Sequence, residues 1–163
     1  MTDPRVPHRL ITEEAVYGVI LVSGMIVVSG TTASVVWEVF ASVVATVMVF
    51  WAAHVYAGTV ASYRAGVGHA GSLPDALRSA LVRSSGLLVG AVLPTGVLLL
   101  GAARVIPDVF ALWVALWVGV GVLAVIGYVV FRDRGSSITM SLLGSIGTAA
   151  FGLIMIALKV ALH

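Results

Sequence analysis

Cysteine is absent from this chain, which removes disulfides and thiolate metal sites from consideration. Charge is almost as scarce: Asp, Glu, Lys and Arg make up 10% of 163 residues, where a soluble domain carries about 25%. No Gly-rich phosphate loop, His-x-x-x-His pair or Gly-x-Ser-x-Gly elbow occurs. The familiar catalytic signatures of soluble enzymes therefore have no counterpart, and neither an enzyme nor a cofactor is expected. Met25, Met48, Met140 and Met155 offer soft ligands, but isolated methionines in apolar segments normally fill space, so no metal site is expected.

What the chain has instead is hydrocarbon. Apolar residues account for 60% of it, and they come in long blocks that a bilayer accommodates better than a globular core. The pI near 9.4 reflects basic residues at block ends, where membrane topology explains them better than nucleic-acid binding does. The blocks predict an all-α fold, a single membrane domain over residues 1–163 with five transmembrane helices at about 15–30, 35–63, 75–103, 109–131 and 138–162. The polar start through Thr12 is read as lying outside the first helix, which is retained rather than cleaved as a signal peptide.

Gly30 to Ser34 reads as a tight polar turn. The second helix, uninterrupted by Pro, is about 43 Å long at 1.5 Å per residue and should tilt or project from a hydrocarbon core of about 30 Å. Arg64 to Pro74 is a linker, and Asp75 to Ser85, with Arg78 and Arg83, reads as an amphipathic lead-in lying at the interface. Pro94 should kink the third helix. Trp113 and Trp117 toward one end of the fourth helix and Tyr128 toward the other fit an aromatic belt.

With the N-terminus in the cytoplasm, the inner segments hold Arg5, Arg9, Arg64, Arg78, Arg83, Arg132 and Arg134, and the outer ones only Arg104 and Lys159. That bias favours a cytoplasmic N-terminus and an external C-terminus in the inner (plasma) membrane. Small residues at Gly86 and Gly90, Gly119 and Gly121, Ser141 and Ser145, and Gly144 and Thr148 mark places where helix backbones approach closely.

Ionisable side chains inside apolar blocks need a partner, an interface or a function. Glu38 and Lys159 lie at similar outer depth, so they either pair or snorkel separately to the headgroups. His54 lies about 24 Å from Glu38 along the second helix, level with the start of the first. Either Glu14 meets His54 as a titratable pair, or Glu13 and Glu14 cap the first helix while His54 is an ordinary interface residue. At 100° per residue Glu38, Tyr56 and Tyr63 share one face with Ser42 and Thr59 beside it, and His54 points about 160° away.

Two stretches resemble known membrane families. Glu14-Ala-Val-Tyr17-Gly18 and Ser85-Gly-Leu-Leu-Val-Gly90-Ala-Val-Leu-Pro94 are similar to the first and third helices of the vacuolar iron transporter family, which implies five spans with an inner N-terminus. Where that family carries Asn-Asp-Gly, with an Asp that serves metal transport, this chain reads Val19-Ile20-Leu21. Phe50-Trp51-Ala-Ala-His54 is similar to the Phe-Trp-x-x-His segment of a six-span prokaryotic potassium-channel family, whose Phe-Ser-Asp motif is here replaced by Glu13-Glu14.

The sequence thus leads to a small transporter or channel moving a cation or proton, surrounded by membrane lipid and assembled as a homo-oligomer. Glu14, Glu38, His54, Tyr56 and Lys159 are its pathway candidates, on a route between the first, second and fifth helices. The competing expectation is a scaffold or accessory subunit that binds a partner or lipid. Reporter fusions at Gly68 and at Gly135 should both report the cytoplasm; opposite compartments would overturn the topology.

Overall fold

The computed structural model describes the backbone of residues 6–32, 35–65 and 72–162, with side chains from 13–29, 35–63 and 72–162. Those residues form five helices: α1 Val6–Thr32, α2 Val36–Ala65, α3 Leu73–Ala102, α4 Asp108–Asp133 and α5 Ile138–Leu162. Four of them, α2 to α5, are long and apolar enough to cross a membrane, which points to a membrane protein. The turn expected at Gly30 to Ser34 falls partly outside the described residues, because 33 and 34 are not among them, and α1 itself runs on through Thr32.

The helix boundaries correct the sequence reading at one place. α1 begins at Val6 rather than near Ala15, since Pro7 falls in its first turn, where a missing N–H costs nothing. Glu13 and Glu14 are therefore two turns inside the helix and cannot cap it. The lead-in Asp75 to Ser85 is the first half of a continuous α3, in keeping with the single helix expected over 75–103. Ser72 starts that helix, its hydroxyl donating to Asp75 Oδ2 at 2.6 Å, and Ala76, Ala80 and Ser84 bury one face, with Ala80 packed against Gly58 of α2.

α1 is the central element. It packs against each of the other four helices, whereas α2 and α5 do not meet. Among its described side chains only Glu13, Tyr17 and Val28 are exposed. Val22, Ile26 and Val27 join Val36, Val39, Val43 and Val47 of α2, Leu87, Ala91 and Leu98 of α3, and Ala111, Ala115 and Leu116 of α4 in one core. Large apolar side chains also cover the outside, among them Val49, Val89, Val125 and Ile146, far more than water tolerates on a monomer.

Small residues set the tightest contacts, at Gly90, Gly119 and Gly144 as the spacing indicated and also at Gly18 and Gly127, whereas Gly121 faces open space. A Cβ added to Gly90 would collide with the Ala15 carbonyl oxygen, and one on Gly18 with that of Leu87. Between α4 and α5, a Cβ on Gly127 would strike Thr148 Oγ1. Backbones that approach this closely gain dispersion along their length, the main attraction available between helices in lipid. α3 continues through Pro94, which is buried and has no N–H to give the Gly90 carbonyl.

Helix ends show how local chemistry fixes the loops. Asp108, in the first turn of α4, also accepts from the Val36 N–H at the start of α2 at 3.4 Å, so one carboxylate serves two helix N-termini. α4 ends with Gly135 at φ 73° and the Ser136 N–H donating back to the Phe131 carbonyl, the arrangement in which a glycine is favoured. α3 ends the same way, the Val105 N–H donating to Leu100 O at 2.9 Å, but the left-handed residue is Arg104 at φ 58°. Replacing Arg104 by Gly should raise stability by about 0.5–1 kcal/mol, read by unfolding in detergent. A loss of stability would mean that the Arg104 side chain outweighs the strain.

Candidate functional site

The site grows from the α1/α3 crossing. Because Gly90 lets α3 rest on the Ala15 carbonyl, the residue before it, Glu14, emerges beside the crossing and reaches α2. There Glu14 Oε2 lies 3.5 Å from His54 Nε2, with the two side chains 15% and 32% exposed respectively. Glu14 Oε2 itself is fully buried and accepts no hydrogen bond from the described residues. At 3.5 Å the contact is an ion-pair distance rather than a well-formed hydrogen bond.

The second ring nitrogen has a neighbour of its own. His54 Nδ1 is 3.3 Å from the Phe50 carbonyl one turn back, and a carbonyl only accepts, so a hydrogen bond here requires the ring form with hydrogen on Nδ1. The Phe50 ring lies against the imidazole, centroids 4.8 Å apart, and limits its rotation. Nε2 then presents either a second proton to a carboxylate or a lone pair to a protonated carboxyl. Both arrangements are attractive and both hold one proton between the residues. With a neutral ring beside a carboxylate only one of the two contacts, to the Phe50 carbonyl or to Glu14, is a hydrogen bond, according to which nitrogen carries hydrogen.

Three other buried polar atoms accept or donate nothing among the described residues: Ser23 Oγ, Trp51 Nε1 and Thr95 Oγ1. The contrast within the bundle is informative. Thr59 donates to Val55 O at 2.7 Å, and Ser141 to Ser137 O at 3.2 Å, the usual way a helix satisfies a hydroxyl away from water. Trp51 lies three residues before His54, on the same side of α2. Its indole N–H is thus a buried donor one turn before His54 along α2.

The remaining candidates do not join this pair. Glu38 and Tyr56 are exposed, Tyr56 at 73%, so the face they share with Ser42 and Tyr63 is on the outside of the bundle. Thr59, expected beside that face, is buried. Lys159 is only 4% exposed and its Nζ sits 5.7 Å from the centroid of Trp113 on α4, a cation–π placement. It neither snorkels outward nor reaches Glu38, since α2 and α5 are not in contact. The polar stripe of α5 is also closed: Ser145 donates to Ala124 O and Thr148 Oγ1 lies 2.8 Å from Leu123 O, tying α5 to α4 rather than lining a passage.

Sequence reasoning missed Arg83. Its guanidinium lies on α2 where Gly58 has no side chain, Nη2 being 2.9 Å from the place a Cβ would occupy. Only the register between α2 and α3 could have revealed this. Removing His54 should strand the buried Glu14 carboxylate, so His54→Ala should cost about 1–3 kcal/mol. The double variant Glu14→Gln, His54→Ala should be less destabilised than the two single changes added together, and additivity within about 0.5 kcal/mol would show that the pair is not coupled. No protein-family model matches the chain, and no curated protein or solved structure matches it.

Proposed function

We propose that this chain is a small membrane transporter or channel that moves a proton, or a cation in exchange for one, through the Glu14–His54 pair. The observation that carries this reading is a buried carboxylate oxygen with no hydrogen bond among the described residues, 3.5 Å from an imidazole nitrogen, in a pair where one added proton satisfies both ring nitrogens. Ionisable groups within apolar helices are costly and mark pathways when they are neither paired permanently nor at the surface. A carboxylate and an imidazole in contact can share a proton and pass it on.

In this reading α1 is the fifth span. Its 27 residues extend about 40 Å, and its central place supports a passage along it rather than one reaching α5. The N-terminus is cytoplasmic and the C-terminus external, in keeping with the arginine distribution. The assembly in the inner membrane is homo-oligomeric. Lys159 acts as an anchor of the outer end.

The exposed face bearing Glu38, Ser42, Tyr56 and Tyr63 favours a second reading, a non-transporting subunit that offers this face to a partner or lipid. Proton flux into vesicles containing the purified chain separates the two. Glu14→Gln and His54→Gln should each lower the flux to background, while Glu38→Gln leaves it within about twofold, because Glu38 lies away from the pair. Flux unaffected by both changes at the pair would overturn the pathway, and no flux from the unaltered chain would favour the subunit.

A further inference from the structure

Arginine cannot shed its charge, so a guanidinium on the outside of an apolar bundle needs a carboxylate, water or another anion. Among the described residues Arg83 forms neither a hydrogen bond nor an ion pair. The carboxylates are engaged or turned elsewhere: Glu14 faces His54, Asp75 accepts from Ser72, and Asp108 accepts from the Val36 N–H. Glu13, Glu38 and Asp133 are exposed and pair with no cation among the described residues. Arg83 is half-buried rather than enclosed, so its donors are open to something outside the bundle.

The fold gives this guanidinium a seat. α2 and α3 run antiparallel, with Gly101 against Val36 at one end and Gly58 against Ala80 at the other. The Arg83 side chain leans toward the start of α3 and lays Nη2 over Gly58, 2.9 Å from where a Cβ would stand, with Ala80 beside it. Ser62 follows Gly58 by one turn on its face of α2, and Ser79 precedes Arg83 by one turn on its face of α3. Thr59 and Ser85 donate to carbonyls of their own helices, but the Ser62 and Ser79 hydroxyls make no hydrogen bond among the described residues. A guanidinium with hydroxyls on both flanking helices is a donor set that suits a phosphate.

Depth indicates which phosphate. Gly58 lies about 33 Å along α2 from Val36 at 1.5 Å per residue, against a hydrocarbon core of about 30 Å. The polar contact of the Val36 N–H with Asp108 suits one membrane edge, and the guanidinium then falls at the other, level with headgroups. Around it the exterior is apolar: Val60 of α2 and Leu77, Leu81 and Val82 of α3 are exposed, a surface that acyl chains cover and a soluble anion does not.

We propose that Arg83, seated on Gly58, binds the phosphate of an anionic membrane lipid in the leaflet beside the α2–α3 connection, with Ser62 and Ser79 as supporting donors. The site is separate from the Glu14–His54 pair and stands whether or not the chain transports. Native mass spectrometry of the full chain in detergent, titrated with phosphatidylglycerol or phosphatidylcholine, tests it. One phosphatidylglycerol should bind at least about fivefold more tightly than phosphatidylcholine. Arg83→Gln should weaken that binding by about tenfold. Gly58→Ala keeps the charge but displaces the flexible tip of the guanidinium, and should weaken it by about threefold or more. Arg132→Gln, which removes an exposed charge elsewhere, should leave it within about twofold. Binding unchanged in Arg83→Gln and Gly58→Ala would overturn the site, as would an equal loss in Arg132→Gln, which would mean general charge attraction. Displacement of the lipid by millimolar inorganic phosphate would assign the groove to a soluble anion and overturn the lipid.

Discussion

Every feature of this bundle depends on how its outer surface is solvated. Val49, Val89, Val125 and Ile146 are each more than 60% exposed, and similar side chains surround α2 to α5. In water such a surface would drive aggregation; against acyl chains it costs nothing. That exchange of solvent changes what can hold the helices together. Burying apolar area no longer distinguishes inside from outside, so close packing and polar contacts between backbones must do so. Gly90 on the Ala15 carbonyl and Gly127 on Thr148 are the places where this is achieved, and Ser145 and Thr148 donate across to α4 carbonyls.

The same constraint locates the candidate site. A crossing made tight by Gly18 and Gly90 brings the α1 backbone against α3 and leaves Glu14 directed at α2. A looser crossing would let the carboxylate find water, and the pair would not form. Structure and chemistry meet here: the residues that allow the helices to touch are neighbours of the Glu14–His54 pair. Phe50, through its carbonyl and its ring, fixes the imidazole so that Nε2 is the nitrogen presented.

Much of the fold is legible in the sequence because hydrophobic length is a one-dimensional signal. The five helices and the end of α5 follow from blocks and breakers. The extension of α1 back to Val6 does not, since a polar residue such as Arg9 is as compatible with a helix leaving the bilayer as with a loop. The Glu14–His54 contact is legible as one of two alternatives, from depth alone. The placement of Lys159 on Trp113 and of Arg83 on Gly58 is not, because both depend on which helices are neighbours, and hydropathy carries no information about lateral order. The face shared by Glu38 and Tyr56 was correctly grouped by its helical period, but a period cannot say whether a polar face looks inward or outward.

The central claim is that lipid solvates the outer face of this bundle. The lack of native cysteine makes spin labelling at single introduced cysteines free of background, and collision rates with oxygen and with a polar nickel chelate measure the claim directly. In bilayers, labels at Val49, Val125 and Ile146 should collide freely with oxygen and rarely with the chelate, while labels at Val22 and Leu123 should be shielded from both. Ready collision of the chelate with Val125 and Ile146 would place those faces in water and contradict the claim.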